Sequence, residues 1–412
     1  MKIAVIGAGV AGLTIAHLMK EQYDVVVYES ASRPGGLIKC DRVDGHLYHL
    51  SGGHVFNTKR KDVLDYFWNF FDKEQEFIKA ERNSVVSMNN DLLIPYPIEN
   101  HMYCFPDVIV KSFIQDLLDM VHNEKKAVFE NFEDFLVNRF GKTLYELYFK
   151  SYNEKVWRRD LKKVPLSWLE GKLPMPTANE MIFNNIKKVD EKEFVHSSFY
   201  YAKEGGSQFL ANRIAEGLNI IYNHPVYSVE KNEKGWNVEG FFYDKVIFCG
   251  NIKQLPSLLT GFLGEDMVSV IEGLEYHGTT SVLCEIGENP YSWIYMPSWE
   301  HSSHRIICTG NFAQSNRGNG KMSATIEFTD FIGKEDILKN LEKIPYAPKY
   351  LSHHYEKYTY PVQDVDTRQN ISDLRLMLEQ KNFYLCGRFA EWEYYNMDAS
   401  MGSAIDLSKR IK

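Results

Sequence analysis

Three glycines near the N-terminus, Gly7, Gly9 and Gly12, have the spacing of a turn that binds a diphosphate. A short apolar run precedes them and predicts a buried strand, and the stretch that follows has the apolar period of a helix. Glycine allows the backbone to approach an anion, and the N-terminus of the helix offers free N–H groups. A second apolar run ends in Glu29, where a carboxylate would accept the ribose hydroxyls of an adenosine. The order of strand, turn, helix, strand and acid predicts a dinucleotide site.

A second glycine-rich turn, SRPGGL at residues 32–37, follows the second strand closely. A nicotinamide enzyme seldom needs such a turn, whereas the long diphosphate of FAD is held from two sides, so the turn favours FAD over NAD. Further along, Gly52 and Gly53 precede His54 between two apolar stretches. Paired glycines allow backbone to approach a flat ring, and the imidazole could lie against that ring. A single histidine is more often structural than functional. The local sequence therefore makes His54 no more than a candidate for contact with the ring.

Composition excludes several classes of protein. The 412 residues suggest two or three domains, with 44% hydrophobic and 25% charged residues, as in ordinary globular proteins. No apolar run reaches the roughly 18 residues of a membrane span, so we expect a cytoplasmic protein without membrane insertion. The net charge of −8 comes without a long basic stripe, which argues against a nucleic-acid partner. The six cysteines are scattered and contain no CxxC pair, so buried thiols are expected and no metal site is predicted.

Apolar spacing predicts an α/β fold with a Rossmann-like domain, a helical domain and an antiparallel sheet domain. Spacing is helical from 107 to 157, and short strand-like runs follow between 279 and 328. The proline-rich and glycine-rich segment 165–177 predicts a mobile loop with one cation, Lys172. The expected boundaries are 1–80, 200–255 and 375–412 for the nucleotide domain, 100–198 for the helical domain, and 81–99 with 256–374 for the sheet domain.

Several motifs together resemble the UDP-galactopyranose mutase family. They are GGHV at 52–55, PYPIEN at 95–100, YNEKVW at 152–157, YPV at 360–362, and GRF at 387–389 followed by Trp392, Tyr394, Asn396, Met397 and Asp398. The motifs occur in the family's order, and the resemblance extends from residue 1 to about 412. It implies an FAD enzyme that converts a nucleotide-sugar pyranose to the furanose.

The resemblance also implies roles for individual residues. The residues expected to contact FAD are Gly7, Gly9, Gly12, Glu29, Ser30, Arg33, Gly36, Leu37, Gly52, Gly53, His54, Val226, Gly387, Arg388, Met397 and Asp398. Those expected to contact the nucleotide sugar are Tyr152, Asn153, Trp157, Lys172, Arg305, Tyr360, Tyr394 and Asn396. Gly53, His54 and Arg305 are the expected catalytic positions. The chain departs from the family in the loop, where Lys172 stands in place of an arginine and supplies charge without a bidentate fork.

The implied reaction uses reduced FAD, whose N5 attacks the anomeric carbon and displaces the nucleoside diphosphate. NADH or NADPH is the expected reductant, and surface polysaccharide biosynthesis is the expected role. The sugar could be galactose, N-acetylgalactosamine or a 6-deoxyhexose, on UDP or dTDP, and a homo-oligomer is left open. Two alternatives are kept: an FAD-dependent oxidase of the amine or protoporphyrinogen type, and a non-catalytic flavoprotein that binds nucleotide sugars.

Overall fold

The computed structural model of the protein describes residues 1–89, 92–122, 129–166, 176–189 and 198–411. Its strands are β1 (Lys2–Ile6), β2 (Asp24–Tyr28), β3 (Cys40–Val43), β4 (His46–His49), β5 (Phe77–Glu81), β6 (Ser84–Asn89), β7 (Leu92–Pro95), β8 (Ser198–Ala202), β9 (Ile220–Ile221), β10 (Val229–Lys231), β11 (Trp236–Val238), β12 (Phe241–Tyr243), β13 (Lys245–Phe248), β14 (Tyr276–Glu285), β15 (Trp293–Tyr295), β16 (Ser303–Ile307), β17 (Ser323–Thr329), β18 (Lys349–Pro361) and β19 (Phe383–Leu385).

The α-helices are α1 (Val10–Met19), α2 (Lys61–Trp68), α3 (Lys73–Glu76), α4 (Asp107–His122), α5 (Phe132–Phe140), α6 (Lys142–Leu144), α7 (Lys150–Trp157), α8 (Ala178–Lys187), α9 (Gly206–Ala215), α10 (Leu255–Leu258), α11 (Glu265–Gly273), α12 (Lys334–Leu341), α13 (Thr367–Glu379) and α14 (Met397–Arg410). A π-helical turn, Tyr145–Phe149, joins α6 to α7.

A parallel sheet of the order β19-β13-β1-β2-β9 forms the nucleotide-binding part of the fold. Its strands come from the start, the middle and the end of the chain, as the sequence predicts. They are rich in valine, isoleucine and phenylalanine because both faces of the sheet are covered by apolar cores. The carboxyl ends of adjacent parallel strands meet at one edge, which is where ligands bind in open α/β sheets.

A second sheet has the order β18-β14-β17-β16-β15-β6-β7. Most of its pairs are antiparallel, as predicted, but β15 and β6 pair in parallel, so the sheet is mixed. The parallel pair arises because β6 comes from a distant segment of the chain, not from a hairpin with β15. The sheet therefore places strands from the first hundred residues beside strands from the second half of the chain.

Helices α4 to α8 pack over one end of the mixed sheet and share its apolar core, which contains Phe132, Phe135, Tyr148, Trp293 and Ile307. The π-helical turn adds a residue just before α7, a feature that is frequent beside functional sites. Across the described residues, no helix has both the length and the hydropathy to cross a membrane.

Replacing Gly12 with alanine should destabilise the fold. A Cβ at Gly12 would lie 1.9 Å from the carbonyl oxygen of Gly7, which is backbone and cannot rotate away. We expect Gly12→Ala to lower the free energy of unfolding by about 2 kcal/mol, measured by urea denaturation. Gly273→Ala is the control, because the space around that helical glycine is open. Equal denaturation midpoints for the two variants would contradict the close approach at the turn.

Candidate functional site

A cavity of about 880 Å³ lies between the carboxyl edge of the parallel sheet, one face of the mixed sheet and helix α7. It brings together most residues that the sequence singles out, from both ends of the chain. Those that line it are Gly9, Gly12, Gly36, Leu37, Gly52, Gly53, His54, Tyr152, Asn153, Trp157, Arg305, Tyr360, Gly387, Arg388, Tyr394, Asn396, Met397 and Asp398. Most of the predicted cofactor and substrate positions therefore line one continuous space.

The two glycine turns form one end of this cavity and press against each other. Gly9 forms a β-bridge with Gly35, and a Cβ on Gly36 would lie 3.2 Å from the Gly9 Cα. Gly9 is also the N-cap of α1 and has no side chain that could occupy the first N–H groups of the helix. Such a helix start is suited to an anion. The turns thus leave a flat backbone cradle that side chains would fill.

Glu29, Ser30 and Arg33 lie behind the cradle and do not line the cavity. The Glu29 carboxylate accepts hydrogen bonds from the backbone N–H groups of Ala8 at 2.7 Å and Ala31 at 2.8 Å. It therefore ties the first glycine turn to the end of β2. Arg33 pairs with Asp41.

Other predicted positions also lie outside the lining. Gly7 lies behind the lining, and its backbone N–H donates to the Tyr28 carbonyl oxygen. Val226 packs against the apolar core on the far face of the parallel sheet. Lys172 falls outside the described residues, as does most of the predicted loop.

The segment with Gly52, Gly53 and His54 lies directly on the mixed sheet. The Gly52 N–H donates to Ser281 Oγ at 3.3 Å, and a Cβ on Gly53 would lie 2.6 Å from the side chain of Ile307. His54 Nε2 lies 3.1 Å from the Leu37 carbonyl oxygen. Burial lowers the pKa of His54 to about 4, so its ring is neutral at physiological pH. This backbone can approach a flat ligand without adding charge.

An ion pair lies in the middle of the mixed sheet, where β16 and β17 place the half-buried Arg305 opposite the buried Glu327. Arg305 Nε donates to a carboxylate oxygen of Glu327, and His304 Nε2 lies 3.5 Å from the same oxygen. Burial alone would raise the pKa of Glu327, but the Arg305 charge and the His304 hydrogen bond lower it to about 2. Arg305 Nη2 also lies 3.4 Å from the Tyr360 hydroxyl. The guanidinium is therefore fixed at the cavity wall.

Two tyrosines and a second arginine extend this cationic wall. The rings of Tyr360 and Tyr394 stack with centroids 5.4 Å apart, and the Arg388 guanidinium lies 4.3 Å from the Tyr394 centroid. Arg388 donates to the Tyr395 carbonyl at 2.8 Å, while its Nε is buried with no partner among the described residues. Burial raises the pKa of Tyr360, which therefore remains a hydroxyl donor at neutral pH. Together, the two tyrosine hydroxyls and the Arg388 guanidinium can donate several hydrogen bonds to an anion.

Helix α7 presents aromatic rings to the opposite side of the cavity. Tyr148 stacks on Tyr152 with centroids 5.4 Å apart, and Tyr152 meets Tyr295 edge to face. Asn153 Nδ2 donates to the Phe149 carbonyl within the same helix at 2.7 Å. A flat base could stack on this surface.

Several residues at the wall are not singled out by the sequence, among them Glu327, His304, Arg82 and Tyr295. Glu327 carried a signal, because it is the single acid in the apolar stretch ATIEFT of β17, and a buried carboxylate requires a partner. Arg82 Nη2 donates to the Tyr295 hydroxyl at 2.6 Å, and its guanidinium lies 5.1 Å from the Trp293 ring. Nothing in the local sequence distinguishes Arg82 from a surface arginine.

Comparison with known proteins confirms the predicted fold class and the resemblance stated above. A family model described as an NAD(P)-binding Rossmann-like domain matches residues 5–73. A probable UDP-galactopyranose mutase from Klebsiella pneumoniae is 24% identical, over 98% of this chain and 92% of the relative. A dTDP-fucopyranose mutase from Escherichia coli is 22% identical, over 99% of this chain and 97% of the relative. Both relatives are named mutases, the class of enzyme that the motifs predict.

Solved structures agree on the fold. The crystal structure of a reduced UDP-galactopyranose mutase superposes with a TM-score of 0.87 at 21% identity, covering 99% of this chain and 95% of the other. A putative protoporphyrinogen oxidase from Exiguobacterium sp. 255-15 superposes with a TM-score of 0.76 at 13% identity, covering 99% of this chain and 98% of the other. The architecture is therefore shared by mutases and oxidases, and the residues of the cavity must distinguish between the two functions.

The buried His49, below the glycine segment, should make stability depend on pH. Its Nε2 lies 2.7 Å from the Tyr201 hydroxyl, and burial lowers its pKa to about 4, against roughly 6.5 in an unfolded chain. The contribution of the neutral His49 ring to the free energy of unfolding is complete above pH 6.5. It falls as the pH drops toward 4, because in that window the imidazole binds a proton only in the unfolded chain. We expect a loss of roughly 3 kcal/mol in urea denaturation, reduced in His49→Gln. The exposed His122→Gln is the control, and identical pH profiles for the two variants would contradict the assignment.

Proposed function

We propose that the protein is a flavin-dependent mutase that interconverts the pyranose and furanose forms of a nucleotide-diphosphate sugar. One observation carries the proposal: a single cavity joins a dinucleotide cradle to a wall of arginines and tyrosines and to an aromatic helix face. A redox enzyme acting on a small amine would not require a diphosphate-binding wall beside the cofactor. The names of the full-length relatives support the same substrate class.

The residues present fit FAD. A Cβ at Gly12, Gly36 or Gly53 would meet neighbouring protein atoms at 3.2 Å or less, so glycine lets the two turns and the Gly52–Gly53 segment pack as closely as a dinucleotide fold requires. The unpartnered Nε of Arg388 supplies a donor at the end of β19. When bound in the reduced state, flavin supplies the N5 nucleophile that such a rearrangement requires. NADH or NADPH is the proposed reductant.

The chain's own residues would act on the leaving diphosphate. Arg305, held by Glu327, is placed to donate charge-assisted hydrogen bonds, and the hydroxyls of Tyr360 and Tyr394 would add two more. Such bonds strengthen as negative charge builds on the departing oxygens, so they favour the transition state over the ground state. Tyr152 would stack on the base and hold the nucleotide while the sugar rearranges. The half-buried, neutral His54 adds no competing charge near the ring.

We further propose a cytoplasmic enzyme of surface polysaccharide biosynthesis. Galactose, N-acetylgalactosamine and 6-deoxyhexose substrates, on UDP or dTDP, are the candidates. Lys172 would replace the family's loop arginine at the phosphates.

The activity should appear only with reduced flavin. Protein reduced with dithionite under anaerobic conditions and incubated with UDP-galactose, UDP-N-acetylgalactosamine or dTDP-fucose should yield a furanose product by chromatography, while the oxidised protein should not. Cyanoborohydride added during turnover should give a flavin whose mass has increased by that of the sugar less one oxygen atom, which leaves as water when the carbon–nitrogen bond forms and is reduced. Oxygen consumption with an amine or porphyrinogen substrate, without furanose formation, would instead favour the oxidase alternative. Binding of nucleotide sugars without turnover would favour a non-catalytic protein.

Arg305 should govern nucleotide binding and not flavin binding. We expect Arg305→Ala to raise the Kd for UDP by about tenfold to a hundredfold, because charge-assisted hydrogen bonds are lost. Arg305→Lys keeps a positive charge beside Glu327 but loses the planar fork, and it should give a smaller increase. The control is Arg317→Ala, because the Arg317 side chain pairs with Glu288 outside the cavity. Loss of flavin from Arg305→Ala with unchanged UDP affinity would mean that the residue has been assigned to the wrong ligand.

A further inference from the structure

Lys155 is a lysine whose ammonium is buried inside the protein. It lies on α7 between Tyr152 and Trp157, and only 3% of the residue is exposed. Its Nζ donates to the carbonyl oxygens of Met296 at 3.1 Å and Ser303 at 2.9 Å, and to that of Ser298. A lysine ammonium has three donors, and here each donor has a backbone acceptor.

These three carbonyls belong to one turn, residues 296–303, which joins β15 to β16. The turn has other anchors as well, since the Ser302 N–H donates to Asn340 Oδ1 at 2.6 Å and His301 Nδ1 lies 2.9 Å from Ser303 Oγ. The Lys155 ammonium also lies 5.8 Å from the ring of Trp299. Burying an ammonium is costly unless it is fully hydrogen-bonded, so this arrangement couples the helix to the turn strongly.

The two elements that Lys155 joins carry different parts of the cavity wall. Helix α7 carries the aromatic face with Tyr152. Strand β16 begins at Ser303, whose carbonyl accepts from Lys155, and two residues later it presents Arg305. One ammonium therefore connects the surface suited to a base with the guanidinium suited to a diphosphate.

We propose that Lys155 is a positioning residue that fixes the separation between the base-binding helix and the diphosphate-binding strand. This inference rests on the proposed function of the cavity. A nucleoside diphosphate has two groups linked at a fixed span, and it binds tightly only when both subsites are held at that span. A ligand that occupies one subsite does not depend on the separation. Lys155 should thus matter for the whole nucleotide and little for either half.

The test compares three ligands on the FAD-loaded, oxidised protein: UDP, uridine and inorganic pyrophosphate. Lys155→Met keeps the length of the side chain and removes the ammonium. We expect it to raise the Kd for UDP by roughly tenfold, with the values for uridine and pyrophosphate within about twofold of wild type. Lys155→Arg, which keeps a cation with several donors, should restore most of the UDP affinity. The control is Lys150→Met on the same helix, where the lysine ammonium pairs with Glu146 at 3.6 Å.

The outcomes separate the possible explanations. An equal loss of affinity for all three ligands, or no loss for UDP, would overturn the positioning role. A wild-type protein that binds neither UDP nor the single-subsite ligands would instead reject the proposed function of the cavity. Should Lys155→Met fail to fold, Lys155→Gln is measured in its place, because its amide is polar but is shorter than lysine, carries no charge and has two N–H donors, so it cannot bond all three carbonyls of the turn. The same selective loss for UDP is then expected, and its absence contradicts the proposal.

Discussion

The candidate site depends on one interaction, the ion pair of the half-buried Arg305 and the buried Glu327 in the mixed sheet. Burial of the Glu327 charge without a cation would be strongly unfavourable, so this carboxylate requires Arg305. Glu327 is held ionised by Arg305 and His304, and a Cβ on Gly52 would lie 3.4 Å from its carboxylate. The pair therefore lies where the glycine segment of the first part of the chain meets the sheet formed by the second part. Without this pair, the cavity wall would have no fixed guanidinium.

The parallel sheet and the mixed sheet make different contributions to this cavity. The parallel sheet supplies backbone: two glycine turns and a helix start that carry no competing side chain. The mixed sheet and α7 supply side chains, which are arginines, tyrosines and stacked rings. This division suits a ligand pair in which a dinucleotide is held by backbone and a second diphosphate by charge. The same architecture serves oxidases, so the side chains, and not the fold, carry the functional argument.

Much of the fold could be predicted from local pattern. The glycine spacing, the acid after β2 and the return of buried strands at KVIF and FYL identify the parallel sheet, and the comparisons confirm the fold class. The parallel pairing of β15 with β6 could not be predicted, because it joins segments about 200 residues apart and leaves no local signal. Glu327 was recognisable in principle as an acid inside an apolar strand, whereas Arg82 becomes informative only once its aromatic neighbours are known. Val226, assigned by resemblance alone, does not line the cavity.

In the proposed enzyme, a flavin and a nucleoside diphosphate occupy one continuous space. This arrangement is tested by the visible absorption spectrum of the purified protein during titration with UDP. We expect a yellow protein with one FAD per chain whose flavin bands shift as UDP binds, because the diphosphate wall adjoins the ring. A protein that stays colourless when supplied with FAD would contradict this arrangement, and so would flavin bands that remain unchanged while UDP binding is detected independently.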